Sequence, residues 1–198
     1  MGRTEIRICG LGGQGVVLAG QILGRAAVYD GWNVVQTQSY GAEARGTTAK
    51  SEVIISESPI GFPMIRKCDI LVVMSQEALD VNVKDLKRGG LLLIDEGIVK
   101  DVPKVNAKVY VVPATKTAEE TLGERLYANM VFLGVLNKLA NLVRDESMEK
   151  AIADTVPKNA VASNLLAYRK GRTLETFTLL HEFFGSRSYV RNEHLSPL

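Results

Sequence analysis

Gly10-Leu11-Gly12-Gly13-Gln14-Gly15 is the stretch that decides the fold of this chain. It follows a short strand-like run at residues 5–9 and precedes a long segment, residues 16–29, with apolar side chains at helical spacing. A strand, a glycine turn and a helix in this order allow backbone N–H groups to face an anion. The same glycines also suit a strand that merely turns sharply into a packed helix, so the motif alone leaves both interpretations open.

A nicotinamide cofactor requires a further acidic residue that this sequence lacks. In dinucleotide-binding folds an Asp or Glu at the end of the second strand binds a ribose hydroxyl. Here the second strand, residues 33–39, contains no carboxylate, and Asp30 precedes it beside Gly31 as a turn residue. No arginine for a 2′-phosphate follows until Arg45. The sequence therefore disfavours NAD or NADP, and a free-standing NAD(P)-binding reductase is only an alternative.

Strand-like runs dominate the first 113 residues. They are rich in Val, Ile and Leu, which is typical of strands covered on both faces, and they occupy residues 6–9, 34–38, 49–55, 70–74, 91–94 and 109–112. Helices are predicted at residues 16–29 and 76–86, with Gly89-Gly90 ending the second. Residues 39–48 are too few for a parallel crossover, so the second and third strands are expected to be antiparallel neighbours.

The second half of the chain is predicted to be mainly helical. Helical periodicity covers residues 129–143, 148–155 and 160–169, with Gly171 after the third helix, and residues 173–184 form a last amphipathic segment. A polar tail follows from about residue 185. We therefore predict one α/β domain over residues 1–198. It has three layers, a mixed but mostly parallel sheet, a Rossmann-like first strand, glycine turn and helix, and a helical C-terminal part.

Composition excludes several classes of protein. Hydrophobic residues make up 46% and charged residues 23% of the 198 residues, and the net charge of +2 is near neutral, so charge alone does not indicate a nucleic-acid partner. The basic residues 168–172 are better explained as a solvated helix end. No run approaches the roughly 18 apolar residues of a membrane span, and no secretory signal is visible, so a cytoplasmic protein is expected.

The potential metal ligands are few and scattered. Cys9 and Cys68 are the only two cysteines, and His181 and His194 the only two histidines. Two distant thiols form neither a disulfide framework nor an iron–sulfur site, which needs about four thiolates. We expect two reduced, buried cysteines and no metal site.

The loop after the second strand, residues 39–48, is the most unusual segment. It carries Tyr40, Glu43 and Arg45 among glycines, alanines and threonines. If the first two strands are parallel, this loop starts at the same edge of the sheet as the glycine turn, where α/β sheets usually bind ligands. The guanidinium of Arg45 suits a carboxylate or a phosphate. A surface loop with one local Glu–Arg pair is the simpler alternative.

Taken together, three segments resemble a known family. Residues 10–16, 38–46 and 129–134, in this order and spacing, are similar to the gamma subunit of 2-oxoacid:ferredoxin oxidoreductases, the family that acts on 2-oxoglutarate, pyruvate or ketoisovalerate. The overall resemblance spans about residues 6–142 and is strongest to the 2-oxoglutarate type. One departure is Thr47, which stands where members often carry a second glycine.

The resemblance implies a role within a larger enzyme. In that family thiamine diphosphate attacks the 2-oxo carbon, CO₂ leaves, iron–sulfur clusters pass electrons to ferredoxin, and coenzyme A takes the acyl group. This chain has neither a Gly-Asp-Gly and Asn-Asn pattern for Mg²⁺ and thiamine diphosphate nor a cysteine set for clusters. It is therefore expected to bind no cofactor alone, to be inactive alone, and to work with alpha, beta and ferredoxin-like subunits.

The resemblance also implies which residues face the shared site. They lie in the glycine turn, in the second loop and at the start of a later helix: Gly12, Gly13, Gln14, Gly15, Tyr40, Glu43, Arg45 and Asn129. Arg45 would meet a carboxylate or a coenzyme A phosphate, Glu43 would position Arg45, and Asn129 would hydrogen-bond in the same cleft. No catalytic residue and no metal ligand is assigned to this chain.

Two alternatives within the same setting stay open. The small subunit of an indolepyruvate:ferredoxin oxidoreductase would share the glycine turn but serve an aromatic substrate. A scaffold subunit without contact to substrate would use these loops for assembly only. Because a lone subunit exposes faces that partners cover, self-association of the isolated chain is a further expectation.

Overall fold

One mixed, eight-stranded sheet runs through the molecule, as seen in a computed structural model that describes residues 2–41, 48–180 and 188–191. The strands lie in the order β2-β3-β1-β4-β5-β6-β7-β8. Their bounds are β1 Arg3–Leu11, β2 Asn33–Tyr40, β3 Thr48–Ser56, β4 Cys68–Val73, β5 Leu86–Asp95, β6 Ala107–Val112, β7 Phe177–Leu180 and β8 Ser188–Arg191.

Six α-helices accompany these strands in the described parts of the chain. They are α1 Val16–Tyr29, α2 Gln76–Asn82, α3 Ala114–Leu122, α4 Ala128–Ala140, α5 Asp145–Thr155 and α6 Val161–Thr173. Short 3₁₀ turns at Val83–Asp85, Arg125–Tyr127 and Lys158–Ala160 follow α2 and precede α4 and α6. No helix among these residues has the length and apolar character that a membrane crossing requires.

The strand directions confirm the predicted mixed sheet. Strands β1, β4, β5 and β6 are parallel, while β3 is antiparallel to both β1 and β2. Because β3 reverses direction between them, β1 and β2 run the same way, and their carboxyl ends lie at one edge. The prediction that β2 and β3 are antiparallel neighbours is also confirmed. The prediction of one domain over residues 1–198 stays a prediction.

The two faces of the sheet are covered unequally. One face packs against α1 and the C-terminal helices in a large apolar core that includes Ile8, Leu23 and Phe132. The other face carries a smaller core around Leu71 and Leu92, covered by α2 and by coil. The larger core therefore fixes α1 and α4 beside the end of β1.

Helix α1 lies close to β3 because glycines of its buried face, Gly20 and Gly24, lie against that strand. A β-carbon at Gly20 would clash with the Ser51 hydroxyl and lie 2.8 Å from the Ser51 Cβ. The helix begins after Gly15, whose φ of 72° is left-handed, and ends at Asp30 before Gly31, whose φ is 86°. Asp30 is a turn residue as expected, and its carboxylate accepts hydrogen bonds from Arg144 and Ser147.

Helices α4 and α6 cross in close contact at a pair of glycines. A β-carbon at Gly134 would clash with the Tyr168 carbonyl oxygen and lie 2.8 Å from the Gly171 Cα. A β-carbon at Gly171 would in turn clash with the Val131 carbonyl oxygen. The expectation that Gly171 ends the preceding helix is therefore wrong, since α6 continues to Thr173 and uses this glycine for close approach.

Two other expected helices differ from the structure. The segment predicted as a helix over residues 76–86 ends at Asn82, passes through a 3₁₀ turn, and enters β5 at Leu86, so Gly89-Gly90 lie inside a strand. The last amphipathic segment contains β7, which pairs with β6 in antiparallel fashion. Of the first predicted helix only the last residue, Leu86, lies in a strand. In the second segment the free edge of β6 supplied backbone partners, and strand pairing overrode local helical periodicity.

A buried arginine fastens the smaller core to the sheet. Arg7 on β1 is 2% exposed and donates to Glu52 on β3 at 2.7 Å, to Asp85 at 2.6 Å, and to the Ile65 carbonyl at 3.2 Å. Every partner lies on a different segment, so one guanidinium holds β1, β3, the 57–67 coil and the turn after α2 together.

Substituting Gly134 tests the helix crossing. Gly134→Ala should lower the free energy of unfolding by about 2 kcal/mol or more, because the methyl group must force two backbones apart. Helix propensity alone predicts the opposite sign, a gain of about 1 kcal/mol. Urea unfolding monitored by circular dichroism measures the difference. Gly61→Ala, where a β-carbon meets nothing within 4 Å, is the matched control, and equal stabilities of the two variants would contradict the close crossing.

Candidate functional site

The glycine turn and both ends of the second loop lie at one edge of the sheet. The register places Gly10 of β1 opposite Ala49 of β3, and Ala49 opposite Tyr40 of β2. The Gly41 N–H donates to the Thr48 carbonyl at 3.0 Å and closes the hairpin at this edge. The expected juxtaposition of the turn with the stems of the loop is therefore present.

The side chain of Gln14 braces the turn from within. Its Oε1 accepts the Leu11 N–H at 2.6 Å, and its Nε2 donates to the Met74 carbonyl at 2.9 Å. Gly10 makes room for this amide, because a β-carbon there would clash with Gln14 Oε1 and lie 3.0 Å from the Met74 Cβ. The amide joins the ends of the parallel strands β1 and β4, and both of its polar atoms are used inside the protein.

Asn129 at the start of α4 contacts the far end of the turn. Its Nδ2 donates to the Gly15 carbonyl at 3.2 Å, and the residue is 2% exposed. A β-carbon at Gly15 would clash with this amide nitrogen. The structure thus brings together four of the predicted residues, Gly12 to Gly15, with Asn129, which is more than a hundred positions later in the chain.

Backbone groups are what the turn presents to the outside. Gly12 and Gly13 are exposed, and Gly13 has a left-handed φ of 91°. The first intrahelical bond of α1 comes from the Ala19 N–H to the Gly15 carbonyl, so the N–H groups of residues 16–18 have no partner within the helix. The first turn of α1 contains no acidic residue. A helix start of this kind favours an anion.

The outer part of the candidate site is only partly described. Tyr40 is 63% exposed at the end of β2. Glu43 and Arg45 lie outside the described residues, as does Thr47, so their predicted roles stay predictions. His181 and His194 also lie outside them. In the described ranges no group of three or more His, Cys, Asp or Glu side chains is placed to hold a metal ion.

A buried carboxylate at the same edge was not singled out from the sequence. Asp95 ends β5 and is 1% exposed. It accepts the Thr115 N–H at 2.9 Å, the Thr115 hydroxyl at 2.8 Å and the Gly97 N–H at 2.9 Å. These bonds cap α3, so Asp95 is committed to positioning a helix. An aspartate at a strand end is the only signal the sequence offered for it.

The two cysteines are structural. Both are free and buried in the layer beneath α2. Burial raises the pKa of Cys9 to about 12 and the pKa of Cys68 to about 11. Neither thiol is therefore ionised near neutral pH, so neither is an activated nucleophile.

Strand order argues against a dinucleotide site. In that fold the second strand lies directly beside the first, and its terminal acidic residue reaches the ribose. Here β3 lies between β1 and β2, so the end of β2 is two strand spacings, or about 10 Å, from the glycine turn.

Comparison with known proteins identifies the chain. The family described as pyruvate ferredoxin/flavodoxin oxidoreductase matches residues 5–174. The chain belongs to this family. Its relatives include the 2-oxoglutarate synthase subunit KorC of Methanocaldococcus jannaschii, which is 53% identical over 172 residues, or 85% of this chain and 92% of that protein.

Solved structures of family members have the same fold. The gamma subunit of a keto/oxoacid ferredoxin oxidoreductase from Geobacter sulfurreducens is 43% identical, with a TM-score of 0.76 over 85% of this chain and 95% of that one. A 2-oxoglutarate:ferredoxin oxidoreductase from Magnetococcus marinus is 25% identical, with a TM-score of 0.80 over 87% of this chain but 31% of that longer one. Within this oxidoreductase family the chain corresponds to the gamma subunit.

Two glycine substitutions test the geometry of the turn. Gly13→Ala should cost about 1 kcal/mol of unfolding free energy, because a left-handed φ strains any residue with a β-carbon but the space is open. Gly15→Ala should cost about 3 kcal/mol or more, because the same strain adds to a clash with Asn129. Chemical denaturation measures both values. Adding Asn129→Ala to Gly15→Ala should recover part of the loss, and equal costs at the two positions would refute the contact.

Proposed function

We propose that this chain is the gamma subunit, without a cofactor of its own, of a cytoplasmic 2-oxoacid:ferredoxin oxidoreductase. The complex would convert a 2-oxoacid, CoA and oxidised ferredoxin to acyl-CoA, CO₂ and reduced ferredoxin. The proposed substrate is 2-oxoglutarate. This choice is supported by the 2-oxoglutarate synthase subunit at 53% identity and by the relative whose structure has 2-oxoglutarate, coenzyme A and succinyl-CoA bound.

The observation that carries the proposal is the shared edge of the sheet. The exposed backbone of Gly12 and Gly13, the start of α1, and the two stems of the 41–48 loop meet there. Gln14 and Asn129 hold this edge in place, and their side-chain amides form hydrogen bonds within the protein. In the proposed complex this edge borders a cleft that alpha and beta subunits complete.

The ligands of this enzyme class are anions at neutral pH. A 2-oxoacid carries at least one carboxylate, and coenzyme A carries phosphates. Backbone N–H groups at a helix start and the guanidinium of an arginine are the donors that such groups prefer. The proposed division of labour is that the glycine turn supplies fixed backbone donors and Arg45 supplies the charge, with Glu43 positioning it.

The cofactors of the reaction are assigned to partner chains. Thiamine diphosphate supplies the carbanion chemistry and iron–sulfur clusters carry the electrons when bound. The described residues contain no group of three or more His, Cys, Asp or Glu side chains that could hold a metal ion. Cys9 and Cys68 do not fit a cluster, because they are only two and both are buried, whereas a cluster needs about four thiolates. This chain would thus contribute substrate contacts and assembly, together with alpha, beta and ferredoxin-like subunits.

Arg45→Ala in the assembled complex tests the proposal. Loss of one charge-assisted hydrogen bond of about 1.5–3 kcal/mol should raise the KM for 2-oxoglutarate or for coenzyme A roughly tenfold or more. Steady-state rates of ferredoxin reduction, with each substrate varied in turn, measure the change. Arg66→Ala is the matched control, since it removes the same kind of side chain from an exposed position in the coil that leads into β4, at the sheet edge opposite the glycine turn.

The outcome separates the competing functions. Unchanged KM values for both substrates would remove Arg45 from the site. A complex that loses subunits but keeps its KM values would favour the scaffold alternative. A preference for an aromatic 2-oxoacid over 2-oxoglutarate in the unaltered complex would favour the indolepyruvate alternative.

A further inference from the structure

Strand β2 forms one edge of the sheet and contains none of the residues that usually protect such an edge. Over its eight residues, Asn33–Tyr40, it contains no charged side chain and no proline, and its register with β3 is unbroken by a bulge. Within the described chain β2 pairs with β3 on one side and with nothing on the other. Soluble proteins normally blunt such an edge with lysine, proline or a bulge, or they cover it.

Two hydrogen bonds show which backbone N–H and C=O groups of β2 point toward β3 and which point away from it. The Gly41 N–H donates to Thr48 at the start of β3, so residues of β2 at odd positions bond to β3. On the other side of β3, the Glu57 N–H donates to the Gly2 carbonyl. Odd-numbered residues of β3 therefore bond to β1 and even-numbered ones to β2, which agrees with this assignment. The outward N–H and C=O groups therefore belong to Val34, Gln36, Gln38 and Tyr40.

The four outward residues can all pair with the same four residues of a second copy in only one antiparallel register. If Thr37 lies opposite Thr37 of a second copy, Val34 faces Tyr40 of that copy, and Gln36 faces Gln38. Every outward residue then occupies a hydrogen-bonded position. A shift by two residues in either direction leaves an outward residue beyond the end of the partner strand. We propose that β2 is the docking strand for a second copy of this chain, joining two sheets into one.

The side chains of this register favour the pairing. Aromatic with β-branched pairs and Thr–Thr pairs stabilise antiparallel strands by roughly 0.2–1 kcal/mol each. Tyr40, 63% exposed in the single chain, would be covered by Val34 of the second copy. Because β2 carries no charge, two copies meet without the repulsion that a charged edge would create.

Helix α1 leaves room for the second copy. It packs over β3, where Gly20 lies against Ser51 and Val53. In the joined sheet the two β3 strands are three spacings apart, or about 14 Å, whereas packed helices lie about 8–10 Å apart. The two α1 helices therefore do not clash. The two glycine turns point in opposite directions along the joined sheet, so the glycine turn of each copy stays open to other subunits.

Complementary charges at Thr37 test this register. Light scattering and sedimentation velocity of the purified full chain should give twice the 21.6 kDa mass at high concentration. Thr37→Lys and Thr37→Glu should each weaken dimerisation about tenfold or more, because identical charges face one another across the axis. Mixing the two variants should restore a dimer, since the introduced ammonium of one copy meets the introduced carboxylate of the other only in this pairing.

Controls make each outcome decisive. Thr173→Lys, an exposed threonine at the end of α6, adds the same charge away from the edge and should leave the dimer intact. Thermal unfolding verifies that each variant is folded. If both Thr37 variants fail to fold, Gln38→Pro replaces them, since it removes an outward N–H and no bond to β3. A wild-type chain that is monomeric up to its solubility limit, or folded variants that dimerise as well as the wild type, would overturn the proposal.

Discussion

The primary amide of Gln14 is the interaction on which the rest of the site depends. It accepts from the Leu11 backbone and donates to the Met74 carbonyl, so it joins the ends of the parallel strands β1 and β4 just beyond their last register pair, Cys9 with Val73. This bridge requires a glycine at position 10, because any β-carbon there would displace the amide. With the turn fixed, Gly15 starts α1 and offers its carbonyl to Asn129, which docks α4. A short polar brace thus sets the positions of the two helices that flank the candidate site.

Much of the fold was predictable from local pattern. The helix at Val16–Tyr29 has a glycine turn before it and Asp30-Gly31 after it, and these signals fix its bounds. The antiparallel pairing of β2 with β3 followed from loop length alone, because no crossover fits between them. The common edge of the turn and the loop then follows from strand direction. These features are local or topological, so one sequence is enough to infer them.

The remaining features depend on contacts between distant residues. Gln14 was expected to face the shared site, yet its side-chain partners include a carbonyl 60 positions away. Gly171 resembled a helix stop, but its purpose is close approach to Gly134 on another helix. The strand Phe177–Leu180 continued an amphipathic pattern and became a strand because β6 had an unpaired side. In each case the deciding partner lies far away in sequence, where periodicity and propensity carry no information.

The burial of both cysteine thiols has a practical consequence for studies of subunit assembly. Cys9 and Cys68 are the only sulfhydryl groups of the chain, and both lie beneath α2 with no ionised fraction of note near neutrality. A maleimide or a thiol-reactive spin label would therefore leave these two cysteines unmodified and react with a single cysteine introduced on the surface. The protein is a ready background for single-site fluorescent reporters, with which the approach of other polypeptides to a chosen face can be followed without first removing any natural residue.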